Sequence, residues 1–219
     1  MLTAIVIGST GLTGKALVKQ LLEDDAYSEV KTFSRRPLEI YHPKLTEHFI
    51  EFDYLDPWKE EVKGDVFFSC LGTNPKDTPT KEAFYKIDFT YQYEFARIAS
   101  EQGIDRYVLV SAPWARSDSK GAYVQIKGQL EDAVKKLPFK SLCILQPSVL
   151  TGKREYPRKG EEVLAKIGHF LYKLSILKKY RPVSDLQIGQ ALANLGKLPS
   201  EQLPEYVVLD EIFKYTNAK

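Results

Sequence analysis

A serine, a tyrosine and a lysine stand at Ser111, Tyr123 and Lys127. Tyrosine and lysine at i and i+4 share one face of a helix. A phenol ordinarily titrates near pH ~10 and is a poor base at neutral pH. An ammonium beside it stabilises the phenolate and lowers that value. Such a pair can give a proton to an oxygen held next to it, or take one away. Ser111 lies next to last in the run RYVLVSA, twelve residues before Tyr123, and its hydroxyl can hold a carbonyl oxygen. The chemistry is proton transfer at a carbonyl or an alcohol, and it needs a hydride partner that no side chain supplies. YxxxK alone is common by chance, and a core tyrosine beside a surface lysine has the same spelling.

The N-terminal stretch MLTAIVIGSTGLTGKALVKQLL offers a place for that partner. Gly8, Gly11 and Gly14 follow a short apolar run and precede a helical pattern. Strand, glycine-rich turn and helix N-terminus together suit a phosphate, because the first helical N–H groups are unpaired and carry partial positive charge. Gly8 can make the tight turn, Gly11 can admit a pyrophosphate, and Gly14 can let the helix lie close on the strand. Ser9, Thr10, Leu12 and Thr13 complete the turn. The bland alternative is a turn that happens to need glycine.

The next strand names the dinucleotide. An NAD site usually carries an acid about 20 residues past the glycines, bonded to the ribose 2′-hydroxyl. Here the strand ends in Ser34, Arg35 and Arg36, with no acid at its tip. The arginine fork suits a 2′-phosphate, so the expected cofactor is NADP(H). Two solvated surface arginines are the competing reading. Asp53 and Tyr54 are placed at the adenine. Cys70, Leu71, Gly72 and Thr73 border the cofactor, with Cys70 expected as core rather than as a nucleophile.

These groups need a scaffold that brings strand ends together. Short apolar runs predict buried strands at Leu2–Gly8 and Asp65–Cys70, and further strands are read at Glu29–Ser34, Glu47–Phe52, Arg106–Ala112 and Ser141–Pro147. Helical spacing follows the first strand, with Leu12, Ala16, Leu17 and Leu21 on one face. A long helix is expected over Thr80–Gln102, with Phe84, Ile87, Tyr91, Phe95 and Ile98 on its apolar side, and another over Gly121–Lys136. Alternating strands and helices predict an α/β fold, a doubly wound parallel sheet of order 3-2-1-4-5-6. YVVL near the end is a candidate seventh strand. Residues 1–219 read as a single domain. In it 151–219 form a small, mostly helical extension on the substrate side, with helices over Glu161–Lys178 and Asp185–Leu195. The loop Thr151–Lys159 is basic, through Lys153, Arg154 and Arg158.

Composition excludes several classes. The formal charge is +2, so nothing marks a nucleic-acid binder. Two cysteines and three histidines offer neither a disulfide framework nor a metal-ligand spacing. The first apolar run, Ala4–Ile7, is too short for a signal sequence or a membrane span. A cytoplasmic location is the default expectation.

Taken together, GSTGLTG, SRRP, CLGT, the Ser111–Tyr123–Lys127 trio and QPSVLTG resemble the atypical short-chain dehydrogenase/reductase superfamily. Within it the chain looks like the Tat-interacting-protein (oxidoreductase-like) subfamily, including its basic stretch in GKREYPRKGE. The GxxGxxG spacing is typical of such relatives. The resemblance covers nearly the whole chain. It implies NADP(H) across the strand ends, with Pro147, Ser148 and Val149 near the nicotinamide. It implies a small-molecule carbonyl substrate, and a homodimer through the helices after strands four and five, where Phe84, Tyr91 and Phe95 are either contact or core. Two departures stand out. Asp88 occupies a position where many extended relatives carry asparagine. The segment APWARSDSKGAY is polar, and its Trp114 either walls the pocket with Tyr156 or anchors a loop. The leading expectation is an NADPH-dependent carbonyl reductase using Ser111, Tyr123 and Lys127. The alternative is an NADPH-binding regulatory protein with little or no turnover. A sugar-nucleotide epimerase ranks lower, because the tail is short for a sugar-nucleotide lobe.

Overall fold

The computed structural model describes residues 1–152 and 178–216. Lys153, Arg154, Tyr156, Arg158 and the helix expected over Glu161–Lys178, Lys178 excepted, lie outside the described residues.

Seven strands form one parallel sheet. They are β1 (Leu2–Ile7), β2 (Tyr27–Ser34), β3 (Leu45–Phe49), β4 (Val66–Ser69), β5 (Arg106–Val110), β6 (Ser141–Gln146) and, last in the chain, β9 (Tyr206–Val208). Their order is β3-β2-β1-β4-β5-β6-β9, so the expected arrangement holds and YVVL supplies the seventh strand. Two short strands, β7 (Leu150–Thr151) and β8 (Val183–Ser184), pair in parallel apart from the main sheet.

The side-chain period of β1 explains why the sheet is covered on both faces. Ala4 and Val6 pack into one core with Leu17 and Leu21 of helix α1 (Leu12–Glu23). Ile5 and Ile7 point the opposite way. They meet Phe95 and Ile98 of α3 (Tyr91–Glu101), and Leu130 and Val134 of α4 (Ala122–Val134). Between β4 and α3 lies the short helix α2 (Lys81–Tyr85). The last helix, α5 (Asp185–Lys197), puts Ile188, Ala191, Leu192 and Leu195 into the α1 core. At the other end of the sheet β9 pairs with β6.

Three boundaries differ from expectation. Strand β2 starts earlier, because Tyr27 is buried and its hydroxyl donates to the Ala193 carbonyl at 2.8 Å. Strand β3 covers Leu45–Phe49 rather than Glu47–Phe52, since its register with β2 runs from Val30–Leu45 to Ser34–Phe49. The long helix is present, but Lys86–Thr90 is a π turn between α2 and α3. One extra residue in a turn rotates the face that follows. Asp88 and Gln92 are therefore buried, while the expected Ile87 and Tyr91 are only half-buried.

Candidate active site

The sheet order reverses between β1 and β4, where α/β sheets hold ligands outside the strand ends. The glycine-rich turn after β1 and the Cys70–Thr73 segment after β4 flank that point. They touch: a Cβ on Gly8 would lie 2.4 Å from the Cys70 carbonyl carbon, and Gly8 itself has φ +73°. A Cβ on Gly14 would lie 2.2 Å from the Gly8 oxygen. Gly11 is different, since its nearest neighbour would be the Gly8 oxygen at 3.4 Å. Gly8 and Gly14 thus serve the packing, and Gly11 leaves room.

Helix α1 begins at Gly11 with no side-chain cap and no acid in its first turn. The Ser9 hydroxyl is fully buried with no hydrogen-bond partner among the described residues. Uncapped helix donors and an unpaired hydroxyl fit a bound pyrophosphate.

The other sites of the dinucleotide reading fall as follows. Arg35 and Arg36 are exposed at the β2 tip. The Ser34 hydroxyl instead donates to the Arg36 carbonyl at 2.7 Å and shapes the turn. Asp53 is exposed and ion-paired with Lys86 at 2.6 Å. Lys86, with Tyr91, holds the Asp53 carboxyl below the usual aspartate value. Tyr54 is exposed. Burial pushes the Cys70 thiol up to about 12, which agrees with a core role and not a nucleophilic one. Pro147 and Ser148 are buried, and the Ser148 hydroxyl donates to the Arg181 carbonyl. Val149 lies beside them, its carbonyl accepting from the Val183 N–H at 3.0 Å. Trp114 is 63% exposed, has φ +61° and leans on Tyr180 at 5.8 Å.

Helix α4 carries the trio's two later members and extends their line. Tyr123, Lys127 and Glu131 recur every four residues on one face. Tyr123 is partly exposed and its ring stacks near Phe84 at 6.1 Å. Lys127 is buried, with Nζ 2.8 Å from Asp88 Oδ1. Asp88 Oδ2 accepts from the Thr73 N–H at 2.9 Å. A Cβ on Gly72 would lie 3.3 Å from Lys127 Nζ. The π turn thus ties α4 to the loop after β4. Ser111 donates its proton to the Glu131 carboxylate, which also accepts from Gln146 at 3.0 and 3.2 Å.

The sequence singled out Ser111, Tyr123 and Lys127 but not Glu131, which the structure puts in contact with Ser111. A signal existed: an acid one turn beyond Lys127, on the same face as the YxxxK pair. Asp88 was noticed as a departure, but its ion pair with Lys127 was not foreseen. The pair also makes a prediction. Asp88→Asn keeps the acceptor for Thr73 but leaves a buried ammonium uncompensated. Urea unfolding at neutral pH should show a loss of about 3–5 kcal/mol. A loss below about 1 kcal/mol would mean the pair behaves like a solvent-exposed one.

The parallel sheet, the uncapped glycine-rich turn and its position at the reversal point define a Rossmann-type NAD(P)-binding protein. Residues 8–169 match the NAD(P)H-binding family, and the chain belongs to it. The chain is 37% identical over 213 residues to the protein FMP52, mitochondrial, of Meyerozyma guilliermondii, covering 94% of this chain and 90% of the relative. It is 31% identical over 163 residues to the protein HTATIP2 of Rattus norvegicus, covering 73% of this chain and 67% of the relative. Among solved structures, the Bordetella bronchiseptica enzyme WbmH in complex with NAD+ superposes with a TM-score of 0.71 at 13% identity. That match covers 94% of this chain and 74% of WbmH, and it speaks to the fold.

One expectation is overturned here. The sequence suggested the cytoplasm, but FMP52 relatives from Scheffersomyces stipitis, Debaryomyces hansenii and Meyerozyma guilliermondii are named mitochondrial. An apolar run too short to span a bilayer carries no information about compartment. Among the described residues no helix is long and apolar enough to cross a membrane.

Proposed function

We propose that this protein is an NADP(H)-dependent oxidoreductase acting on the carbonyl or alcohol of a small molecule. The observation that carries the reading is the line of Tyr123 and Lys127 on α4, with Lys127 anchored by Asp88 beside the Gly72–Thr73 loop at the strand ends. Gly11, Ser9 and the α1 N-terminus would hold the pyrophosphate, and Arg35 and Arg36 the 2′-phosphate. When bound, the dihydronicotinamide supplies hydride. Tyr123 would then protonate the forming alkoxide, Ser111 would face the carbonyl oxygen, and Lys127 would hold the ribose hydroxyls. The mitochondrial names of the FMP52 relatives support the same compartment for this chain. A homodimer through the helices after β4 and β5 belongs to the reading as well. It would use the ring ladder of exposed Tyr85 with half-buried Phe89 and Tyr93, since Phe84 and Phe95 are core.

The cofactor half is tested by fluorescence titration with NADPH and NADH, on wild type and on Arg35→Ala/Arg36→Ala. Wild type should prefer NADPH. The double variant should lose at least about tenfold in NADPH affinity, with NADH little changed, as expected for lost charge-assisted hydrogen bonds. Equal affinity of wild type for both nucleotides would sink the NADP(H) reading.

A second reading is an NADPH-binding regulatory protein with weak turnover. It is favoured by the commitment of two trio members to protein partners, Lys127 to Asp88 and Ser111 to Glu131. A carbonyl screen in which Tyr123→Phe changes nothing would favour this second reading.

A further inference from the structure

The Glu131 carboxylate lies in the core between α4, β5, β6 and β9, and it has four donated hydrogen bonds. Ser111 of the β5 end gives one, Gln146 of β6 reaches both oxygens at 3.0 and 3.2 Å, and the Tyr206 hydroxyl of β9 reaches Oε2 at 3.4 Å. The cation that acts on it is Lys135, one turn further on at the C-terminal cap of α4. Its Nζ is paired with Glu205 at 3.0 Å and sits 4.4 Å above the Tyr206 ring. On the other side Lys127 is already matched by Asp88. Glu131 is thus a deeply buried acid whose contact with the trio is the Ser111 hydroxyl.

A carboxylate can only accept, so while Glu131 is ionised the Ser111 proton points at it. Ser111 then has only lone pairs left for the pocket. A carbonyl oxygen needs the opposite, a donated proton. If Glu131 is protonated, it can donate to Ser111 Oγ, and the Ser111 proton is released toward the pocket.

We propose that Glu131 is a positioning residue that sets whether Ser111 donates to the bound carbonyl or accepts. The proposal rests on Ser111 facing the substrate, and it adds a proton-dependent control of that contact. Burial independently drives the Glu131 carboxyl above the ordinary glutamate value. The hydrogen bonds from Ser111, Gln146 and Tyr206 and the Lys135 charge offset only part of that rise. Carbonyl reduction should therefore weaken as rising pH ionises Glu131.

Glu131→Gln separates this from a packing role. Glutamine keeps the shape of the side chain but cannot ionise. The hydrogen bond of Ser111 is then the same at every pH. The first readout needs neither cofactor nor substrate. Infrared difference spectra from about pH 4 to about pH 9 should show a carboxylic C=O band that titrates in wild type and is missing in Glu131→Gln. In Ser111→Ala the midpoint should rise by about one pH unit, because the carboxylate loses a donor. An unmoved midpoint would overturn the proposal. The second readout is the pH profile of NADPH-driven reduction of 4-nitrobenzaldehyde to the alcohol, which consumes one hydride and one proton. Wild type should lose rate across the infrared midpoint, and Glu131→Gln should not. The same loss in both would also overturn it. Absence of any reduction by wild type strikes the reductase reading, and the Glu131–Ser111 coupling is then decided by the infrared midpoint.

Discussion

Tyr123→Phe is expected to lower kcat for carbonyl reduction by about 10²–10⁴-fold, the usual worth of a positioned proton donor. NADPH affinity should stay close to wild type. The variant removes one oxygen and keeps the ring that stacks near Phe84 at 6.1 Å. Tyr123 is 37% exposed, so its loss opens no cavity and leaves no buried group unpaired. Urea unfolding should therefore be unchanged within about 0.5 kcal/mol. Steady-state kinetics with a panel of small aldehydes and ketones measures the rate, and fluorescence titration measures the cofactor. A drop in kcat without a drop in affinity identifies the proton donor. A kcat within threefold of wild type would remove Tyr123 from the chemistry and leave the regulatory reading standing.

The glycine turn gives the largest expected effect on stability. Gly8→Ala meets two obstacles. Its φ of +73° is a conformation that side chains rarely adopt, and the new Cβ would lie 2.4 Å from backbone atoms of Cys70 and Leu71. Neither neighbour is a flexible side-chain end, so the end of β4 must move. The cost should reach about 4 kcal/mol or more, in the range reserved for severe backbone and packing damage. Gly11→Ala is the control. Its nearest contact would be 3.4 Å, ordinary van der Waals spacing, and its φ is the extended −78° of an N-cap. It should fold with little loss, yet weaken NADPH binding, because the added methyl faces the space above the α1 N-terminus. Calorimetry on the apo chain and nucleotide titration on both variants read the two effects apart. If Gly11→Ala bound NADPH as wild type does, the pyrophosphate would not pass over that residue.

Much of the architecture was legible because its signals are local. Ala4–Ile7 reads as a strand buried on both faces, and the structure places alternate residues of it in two separate cores. The apolar runs of β4, β5 and β6 read the same way. The edge strand β3 was misplaced by a few residues, because a half-exposed strand has a weak pattern and takes its register from β2. The face of the long helix was misread at Ile87 and Tyr91. A π turn has no spelling of its own, and it forms here because Asp88 and Gln92 find partners in Lys127, Thr73 and Ser69.

The sequence by itself determined the parallel α/β sheet and the strand–glycine–helix turn, and it marked Ser111, Tyr123 and Lys127 as candidates. Each follows from residue types a few places apart, which local sterics and helical periodicity decide. Only the tertiary structure decided where the charges of that site end. Asp88 lies far from Lys127 along the chain, and Glu131 meets Ser111, Gln146 and Tyr206 from three different strands. Contacts of that kind exist only once the sheet has assembled, because burial forces each charged or polar group to find whichever partner the packing brings within reach.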